Sequence, residues 1–243
     1  MGSGDLEKIR DSRLGRKIIA YISIGEAEDY RKYWREDWGN KGKLTSAVPA
    51  WLGSESPEWK GNYRVKYWHT DWQNIILAVV EGAMDRGFDG VYLDIVDAFE
   101  SFESEGKEYV ENSVNPETKQ SYRRDIVDWV KTIAKNAREN NPDALVIPQN
   151  GSQLLKYGDF LSAISGIGIE DLFTNGNKLQ PRSHSSEVLT NLKAMAAAKK
   201  PVLLIEYPKI AERQAMSKRL AQENELIWLN TDRQLKTLGD SGK

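Results

Sequence analysis

Short runs of apolar residues alternate with amphipathic segments along most of the chain. This order predicts a parallel α/β fold, because each helix carries the chain back to begin the next strand in the same direction. The apolar runs predicted to be strands cover residues 17–24, 90–93, 144–147, 164–169, 201–205 and 226–229. The segments predicted to be helices cover residues 27–38, 71–86, about 119–140, 152–160, 186–199 and 209–223.

One long stretch, residues 39–68, breaks this alternation and is rich in Gly, Pro and Trp. A connection of this length in a compact domain is usually functional. Trp51, Trp59 and Trp68 lie in it, and a flat indole ring can stack on the apolar face of a sugar. Packing against the domain is the more common role for any single tryptophan. We expect the stretch to lie over the carboxyl ends of the strands, with at least one of the three exposed to the cleft.

Polar residues follow the predicted strands, and in parallel α/β barrels the active site lies at that end. The acids, amides and tyrosines at these positions are Glu26, Glu28, Tyr92, Asp94, Asp97, Asn150, Glu170, Asp171, Glu206, Tyr207 and Asp232. Such a site would contain almost no basic residue. Two carboxyl groups suit the cleavage of a glycosidic bond, because one must be ionised and the other must be protonated.

Each of these acids could instead cap a helix or face solvent at the end of a loop. For Glu28, Asp171 and Asp232, that structural role and a functional one are equally favoured. A functional role is favoured for Asp94, because it directly follows the buried run Gly-Val-Tyr-Leu.

Composition narrows the classes of function. The net charge is −2, so no general attraction to nucleic acid or to a membrane surface is expected. Cysteine is absent and there are only two histidines, so we expect neither a metal site nor a cofactor. No apolar run approaches the roughly 20 residues that span a bilayer. The first 17 residues lack the apolar segment of a signal peptide, and the localisation is left open.

Several segments together resemble one family. They are AYISIGEAEDYRKYW (20–34), GNYRVKYW (61–68), GFDGVYLDIVDAFE (87–100), IPQNG (147–151), GIGIEDLF (166–173) and LLIEY (203–207). In this order, and over nearly the whole chain, they are similar to the blocks of the endo-α-1,4-polygalactosaminidases. That resemblance implies a (β/α)8 barrel of the TIM type that hydrolyses α-1,4-linked galactosamine polymers. Family members are often exported.

The resemblance also implies roles for individual residues. The family nucleophile and acid/base match Asp94 and Glu170. The residues expected to bind the polysaccharide are Glu26, Trp51, Trp68, Tyr92, Asp97, Asn150, Glu206 and Tyr207. A cleft lined by so many acids would favour a sugar that carries an ammonium group.

The match begins inside the family's second strand–helix unit, so about six of its eight units are expected. The chain is interpreted as a single barrel domain over residues 1–243 that lacks the first two units. Eight strands close a barrel that side chains just fill, so six would leave open edges through which chains could self-associate.

Two alternatives remain open. A non-catalytic barrel could bind carbohydrate through Trp51, Trp59, Trp68 and Tyr92. A nucleotide-binding, synthetase-like protein is weakly indicated by the run Ala215-Met216-Ser217-Lys218, but no second motif of that class accompanies it.

Overall fold

The computed structural model describes residues 3–40, 42–104 and 108–241. They form two compact units, one ending at Val146 and one beginning at Ile147. The elements of the first unit are α1 (Ser3–Asp11), β1 (Ile19–Ser23), β2 (Glu26–Glu28), β3 (Gly39–Asn40), β4 (Lys43–Leu44), β5 (Leu52–Glu55), β6 (Asn62–Val65), α2 (Thr70–Asp85), β7 (Gly90–Asp94), α3 (Phe99–Glu103), α4 (Tyr122–Asn140) and the start of β8 (Leu145–Pro148). Those of the second are α5 (Gly158–Ala163), β9 (Ile167–Glu170), β10 (Thr174–Asn175), β11 (Lys178–Leu179), α6 (Arg182–Ala197), β12 (Val202–Glu206), α7 (Ala211–Glu223) and β13 (Ile227–Asn230).

The six predicted strands form two three-stranded sheets. The first has the order β1-β7-β8 and the second the order β13-β12-β9. The pairs β1–β7, β9–β12 and β12–β13 are parallel. A mixed α/β fold with parallel strands is therefore confirmed, whereas a closed barrel and an eight-unit count stay predictions. The single-domain boundary and the lack of the family's first two strand–helix units also stay predictions.

The prediction of a helix at residues 27–38 is wrong. Residues 26–28 instead form β2, which pairs antiparallel with β6, and only the short 3-10 turn Glu36–Trp38 is helical. The stretch 39–68 also differs from the expected irregular loop, because β5 and β6 lie within it as an antiparallel pair. Pairing between distant segments has overridden the local helical pattern here.

Each unit has its own apolar core. In the first, α2 and α4 bury the side chains expected from their helical spacing, including Ile76, Val80, Ile126 and Val130. The buried side chains of the second include Leu154, Phe160, Ile167, Leu192 and Leu204. These cores hold the strands whose ends carry the predicted site residues.

Candidate functional site

Asp94 ends β7, and its register explains its main contact. Ser23 of β1 pairs with Asp94, and Tyr21 stands two residues earlier, so its side chain leaves the same face of the sheet. The Tyr21 hydroxyl donates a hydrogen bond to Asp94 Oδ2, and the Ile95 amide donates to Oδ1 at 2.9 Å. The carboxyl group of Asp94 is thus held by both a side chain and the backbone.

The turn after Asp94 is tight. Ile95 has φ 57° and ψ 40°, a left-handed conformation that a β-branched residue rarely adopts. A Cβ at position 25 would collide with the Ile95 carbonyl oxygen, so Gly25 makes this close approach possible. Such strain occurs where the surrounding structure enforces it, often at functional sites.

Four further residues complete what we call the Asp94 cluster, which consists of Tyr21, Glu26, Glu28, Arg31 and Asp94. Glu28 is buried and accepts hydrogen bonds from Arg31 Nε and from the Tyr30 hydroxyl. The Arg31 guanidinium lies 5.8 Å from the centre of the Tyr21 ring. Glu28 is therefore the partner of an arginine and not a solvated loop end.

Glu26 is half-buried and accepts a hydrogen bond from Asn62 Nδ2 at 3.1 Å. Burial raises the pKa of Glu26, and the negative charges of Asp94 and Glu28 raise it further, against the hydrogen bonds from Asn62 and Ser56. Partial burial and the neighbouring Asp94 also raise the pKa of Tyr21 well above its usual range, so Tyr21 stays a hydrogen-bond donor.

Glu170 ends β9 in the second unit. Its Oε2 accepts a hydrogen bond from the Tyr207 hydroxyl at 2.7 Å, and its Oε1 accepts one from Asn150 Nδ2 at 3.4 Å. Asn150 Oδ1 in turn accepts from the Glu170 amide at 3.2 Å. Ile205 pairs with Glu170, and Tyr207 lies two residues further on, so again the same face of the sheet supplies the tyrosine.

Asp171 and Arg233 complete the Glu170 cluster, which consists of Asn150, Glu170, Asp171, Tyr207 and Arg233. Arg233 Nη2 donates to both carboxylate oxygens of Asp171, at 2.8 and 2.7 Å. Burial raises the pKa of Asp171 even though Arg233 favours its charged form. Burial and the nearby Glu170 raise the pKa of Tyr207 above its usual range, so this hydroxyl also stays a donor.

Two of the residues predicted to bind substrate are corrected. Trp51 is only 2% exposed, with its ring packed against Trp38 and Trp72, so it cannot stack on a sugar. Glu206 is 0% exposed and accepts hydrogen bonds from the amides of Phe173 and Thr174. Burial raises the pKa of Glu206 to about 7. Its role is to hold the segment that follows Glu170.

Of the other predicted substrate-binding residues, Tyr207 is buried, whereas the rest keep partly accessible positions. Tyr92 and Asp97 are half-buried, on β7 and in the turn after it. Trp68 is half-buried, donates to Glu117 and packs on Phe102 and Tyr122. Trp59 is 53% exposed, and its place beside the cleft stays a prediction.

The expectation of almost no basic residue is wrong, because each cluster contains an arginine. Arg31 and Arg233 were missed, as was Tyr21. The alternation of side chains along β1 could have indicated Tyr21, since it shares a face with residue 23. No local pattern indicates Arg233, which lies beyond the last strand.

Other features of the described residues lie apart from these clusters. A groove of about 770 Å³ runs along α6 and the start of β12, and none of the predicted site residues lines it. In the described ranges, no three His, Asp or Glu side chains are grouped so that they could hold a metal ion. None of the helices described is long and apolar enough to cross a membrane.

Comparison with known proteins identifies the family. The model of glycoside-hydrolase family GH114 matches residues 5–241. The chain belongs to this family. The resemblance read from the sequence blocks is therefore confirmed.

Among its relatives, an uncharacterized protein of Thermotoga maritima is 41% identical over 157 residues, which are 64% of this chain and 44% of that protein. One of Methanocaldococcus jannaschii is 37% identical over 84% of this chain and 55% of its own length. The chain thus spans about half the length of these curated relatives.

Two solved structures share the fold. Aspergillus fumigatus Ega3, in complex with galactosamine, has a TM-score of 0.73 and 17% identity over 99% of this chain and 83% of its own. The glycoside hydrolase domain of Pseudomonas aeruginosa PelA has a TM-score of 0.68 and 17% identity, over 99% of this chain and 87% of its own. At this sequence identity, the similarity supports a shared fold alone.

Proposed function

We propose that the chain cleaves α-1,4-linked, galactosamine-type polysaccharide with Asp94 and Glu170 as its two catalytic carboxyl groups. The observation that carries the proposal is their shared setting in a chain of a glycoside-hydrolase family. Each ends a parallel strand and accepts a hydrogen bond from a tyrosine that remains protonated. Rigidly held carboxyl groups at strand ends suit acid–base and nucleophilic chemistry.

In the proposed reaction, the ionised Asp94 attacks the anomeric carbon while the glycosidic C–O bond breaks. Glu170 gives its proton to the leaving oxygen. Water then hydrolyses the glycosyl ester of Asp94 while Glu170 takes up the proton, and the anomeric configuration is retained.

The preference for an amino sugar is supported by Glu26. Burial raises the pKa of this acid, and repulsion by the nearby charges of Asp94 and Glu28 raises it further. An ammonium group placed beside Glu26 would relieve that repulsion. Galactosamine is the sugar bound in the Ega3 complex.

The test is hydrolysis of a de-N-acetylated α-1,4-galactosamine polymer, followed by the release of reducing ends. We expect Asp94→Asn and Glu170→Gln each to lower turnover by about a thousand-fold or more. Glu187→Gln, which changes an exposed acid on α6, is the matched control. A fully N-acetylated polymer should be cleaved much more slowly. Near-normal turnover in either catalytic variant would disprove the role of that residue.

Exposed aromatic side chains favour a second candidate function, non-catalytic carbohydrate binding. Tyr30 is 64% exposed and Trp59 is 53% exposed, and both lie in the first unit. Residues 56–62, the turn that carries Trp59, also supply Ser56 and Asn62 to Glu26. If this candidate is right, the chain retains the polymer without releasing products, and Trp59→Ala weakens retention whereas Asp94→Asn does not.

A further inference from the structure

The segment after β13 is folded into a defined turn. Asp232 accepts hydrogen bonds from the amides of Gln234, Lys236 and Thr237. The amides of Asn230 and Asp240 each donate to the carbonyl oxygen of the other, at 2.9 and 2.7 Å. Residues 231–240 therefore present Arg233 from a fixed backbone.

Arg233 makes two contacts within the Glu170 cluster. One is the ion pair with Asp171 described above, and Asp171 directly follows Glu170 with a left-handed φ of 51°. The other places the guanidinium 4.4 Å from the centre of the Tyr207 ring. Tyr207 is 7% exposed and donates to Glu170, so both contacts lead to the same carboxyl group.

These two contacts constrain Glu170 from different sides. Pairing with Asp171 holds the strained residue that turns the chain at the end of β9, and hence the backbone of Glu170. Stacking on Tyr207 holds the ring whose hydroxyl orients the Glu170 carboxyl group. A planar guanidinium can do both at once, whereas an ammonium group cannot.

We infer that Arg233 is a positioning residue for Glu170, acting through Tyr207 and Asp171. The consequence for catalysis rests on the proposed function, but the physical coupling does not. An arginine beyond the last strand thus controls how the acid at the end of β9 is presented.

The coupling is tested first without activity, by NMR on protein labelled in its tyrosine rings. The Tyr207 resonances are assigned by their loss in Tyr207→Phe. We expect Arg233→Met to shift them and Arg233→Lys to shift them by a similar amount. Lys236→Met, which alters an exposed lysine of the same segment, should leave them in place.

Activity is measured second, on the galactosamine polymer. Arg233→Met should lower kcat by about ten- to a hundred-fold with KM changed less than about three-fold, because orientation and not binding is lost. Arg233→Lys should recover only part of this. Since Arg233 is 41% exposed, added methylguanidinium should restore turnover to Arg233→Ala but not to Glu170→Gln.

Failure of the inference about Arg233 and failure of the proposed function give different results. Unchanged Tyr207 resonances in Arg233→Met overturn the inference, as does a kcat within two-fold of the parent protein. If the parent chain hydrolyses no galactosamine polymer at all, the proposed function fails, and the NMR shift alone decides whether Arg233 holds the Tyr207–Glu170 pair.

Discussion

Asp94 in the first unit and Glu170 in the second each accept a hydrogen bond from a tyrosine whose ring is covered by an arginine. Arg31 covers Tyr21 and pairs with Glu28, whereas Arg233 covers Tyr207 and pairs with Asp171. The two tyrosines come from different parts of the chain, since Tyr21 lies on β1 and Tyr207 follows β12. The same arrangement around both acids indicates that holding a carboxyl group in place is the common requirement.

The two clusters differ in how they are shielded and anchored. Tyr21 is 47% exposed, but Tyr207 is only 7% exposed. The segment after Asp94 ends at Glu103, a buried acid paired with buried Arg123 at 2.8 Å. The segment after Glu170 is held instead by Glu206, whose partners are backbone amides and a threonine hydroxyl. The segment after Asp94 is thus anchored by an acid paired with an arginine, whereas the segment after Glu170 is anchored by an acid that has no arginine partner.

The largest expected effect separates the roles of the two acids. With an activated aryl α-galactosaminide, the leaving group needs little protonation, so Glu170→Ala should slow bond cleavage much less than Asp94→Ala does. We expect a loss of about ten-thousand-fold for Asp94→Ala, because no nucleophile remains. Release of the aryl group in the first turnover is the measurement. Equal losses in both variants would break the distinction between nucleophile and acid.

The next prediction concerns Glu206, the anchor of the segment after Glu170. The pKa of Glu206 in the folded protein is about 7, above the ordinary value of 4.5, because burial disfavours the charged form. A raised pKa means that the folded state binds more protons than the unfolded state between these values. The contribution of Glu206 to stability is therefore complete below about pH 4.5 and is lost as the pH rises through about 7.

Glu206→Gln removes this titration. Between about pH 4 and pH 8, the free energy of unfolding of the parent should fall relative to that of the variant by up to about 3 kcal/mol. Urea unfolding at several pH values measures the difference. Glu225→Gln, an exposed acid in the same unit, should give a curve parallel to the parent. Parallel curves for Glu206→Gln as well would mean that the amides keep Glu206 ionised.

Sequence patterns predicted the strands that carry the site more closely than the site itself. All six apolar runs became strands of the two three-stranded sheets, because buried strands have a strong local signal. Asp94 and Glu170 could be placed at strand ends for the same reason. The segment at 27–38 was misjudged because its charged, helix-like spacing is overridden by the pairing of Glu26–Glu28 with β6.

Contacts between distant residues could not be predicted. The burial of Trp51 depends on Trp38 and Trp72, and that of Glu206 depends on the return of Phe173 and Thr174. Arg233 reaches Asp171 across 62 positions of the chain. The acids were visible in the sequence because strands end at them, whereas the arginines that balance them belong to no local pattern.

The smallest effect tests the difference in shielding between the two tyrosines. Removal of the Tyr21 hydroxyl leaves a half-exposed position, where water can take over the hydrogen bond to Asp94. Tyr207 is buried, so its loss leaves Glu170 with the longer Asn150 contact and no ready substitute. Tyr207→Phe should therefore lower kcat by about ten-fold, and Tyr21→Phe by about three-fold, since only at Tyr207 is the hydrogen bond lost without replacement by water. Steady-state kinetics on the galactosamine polymer measures both, with Tyr157→Phe, a half-buried tyrosine outside both clusters, as the control. A larger loss for Tyr21→Phe would mean that its hydroxyl contacts the substrate itself, because shielding alone predicts the opposite order.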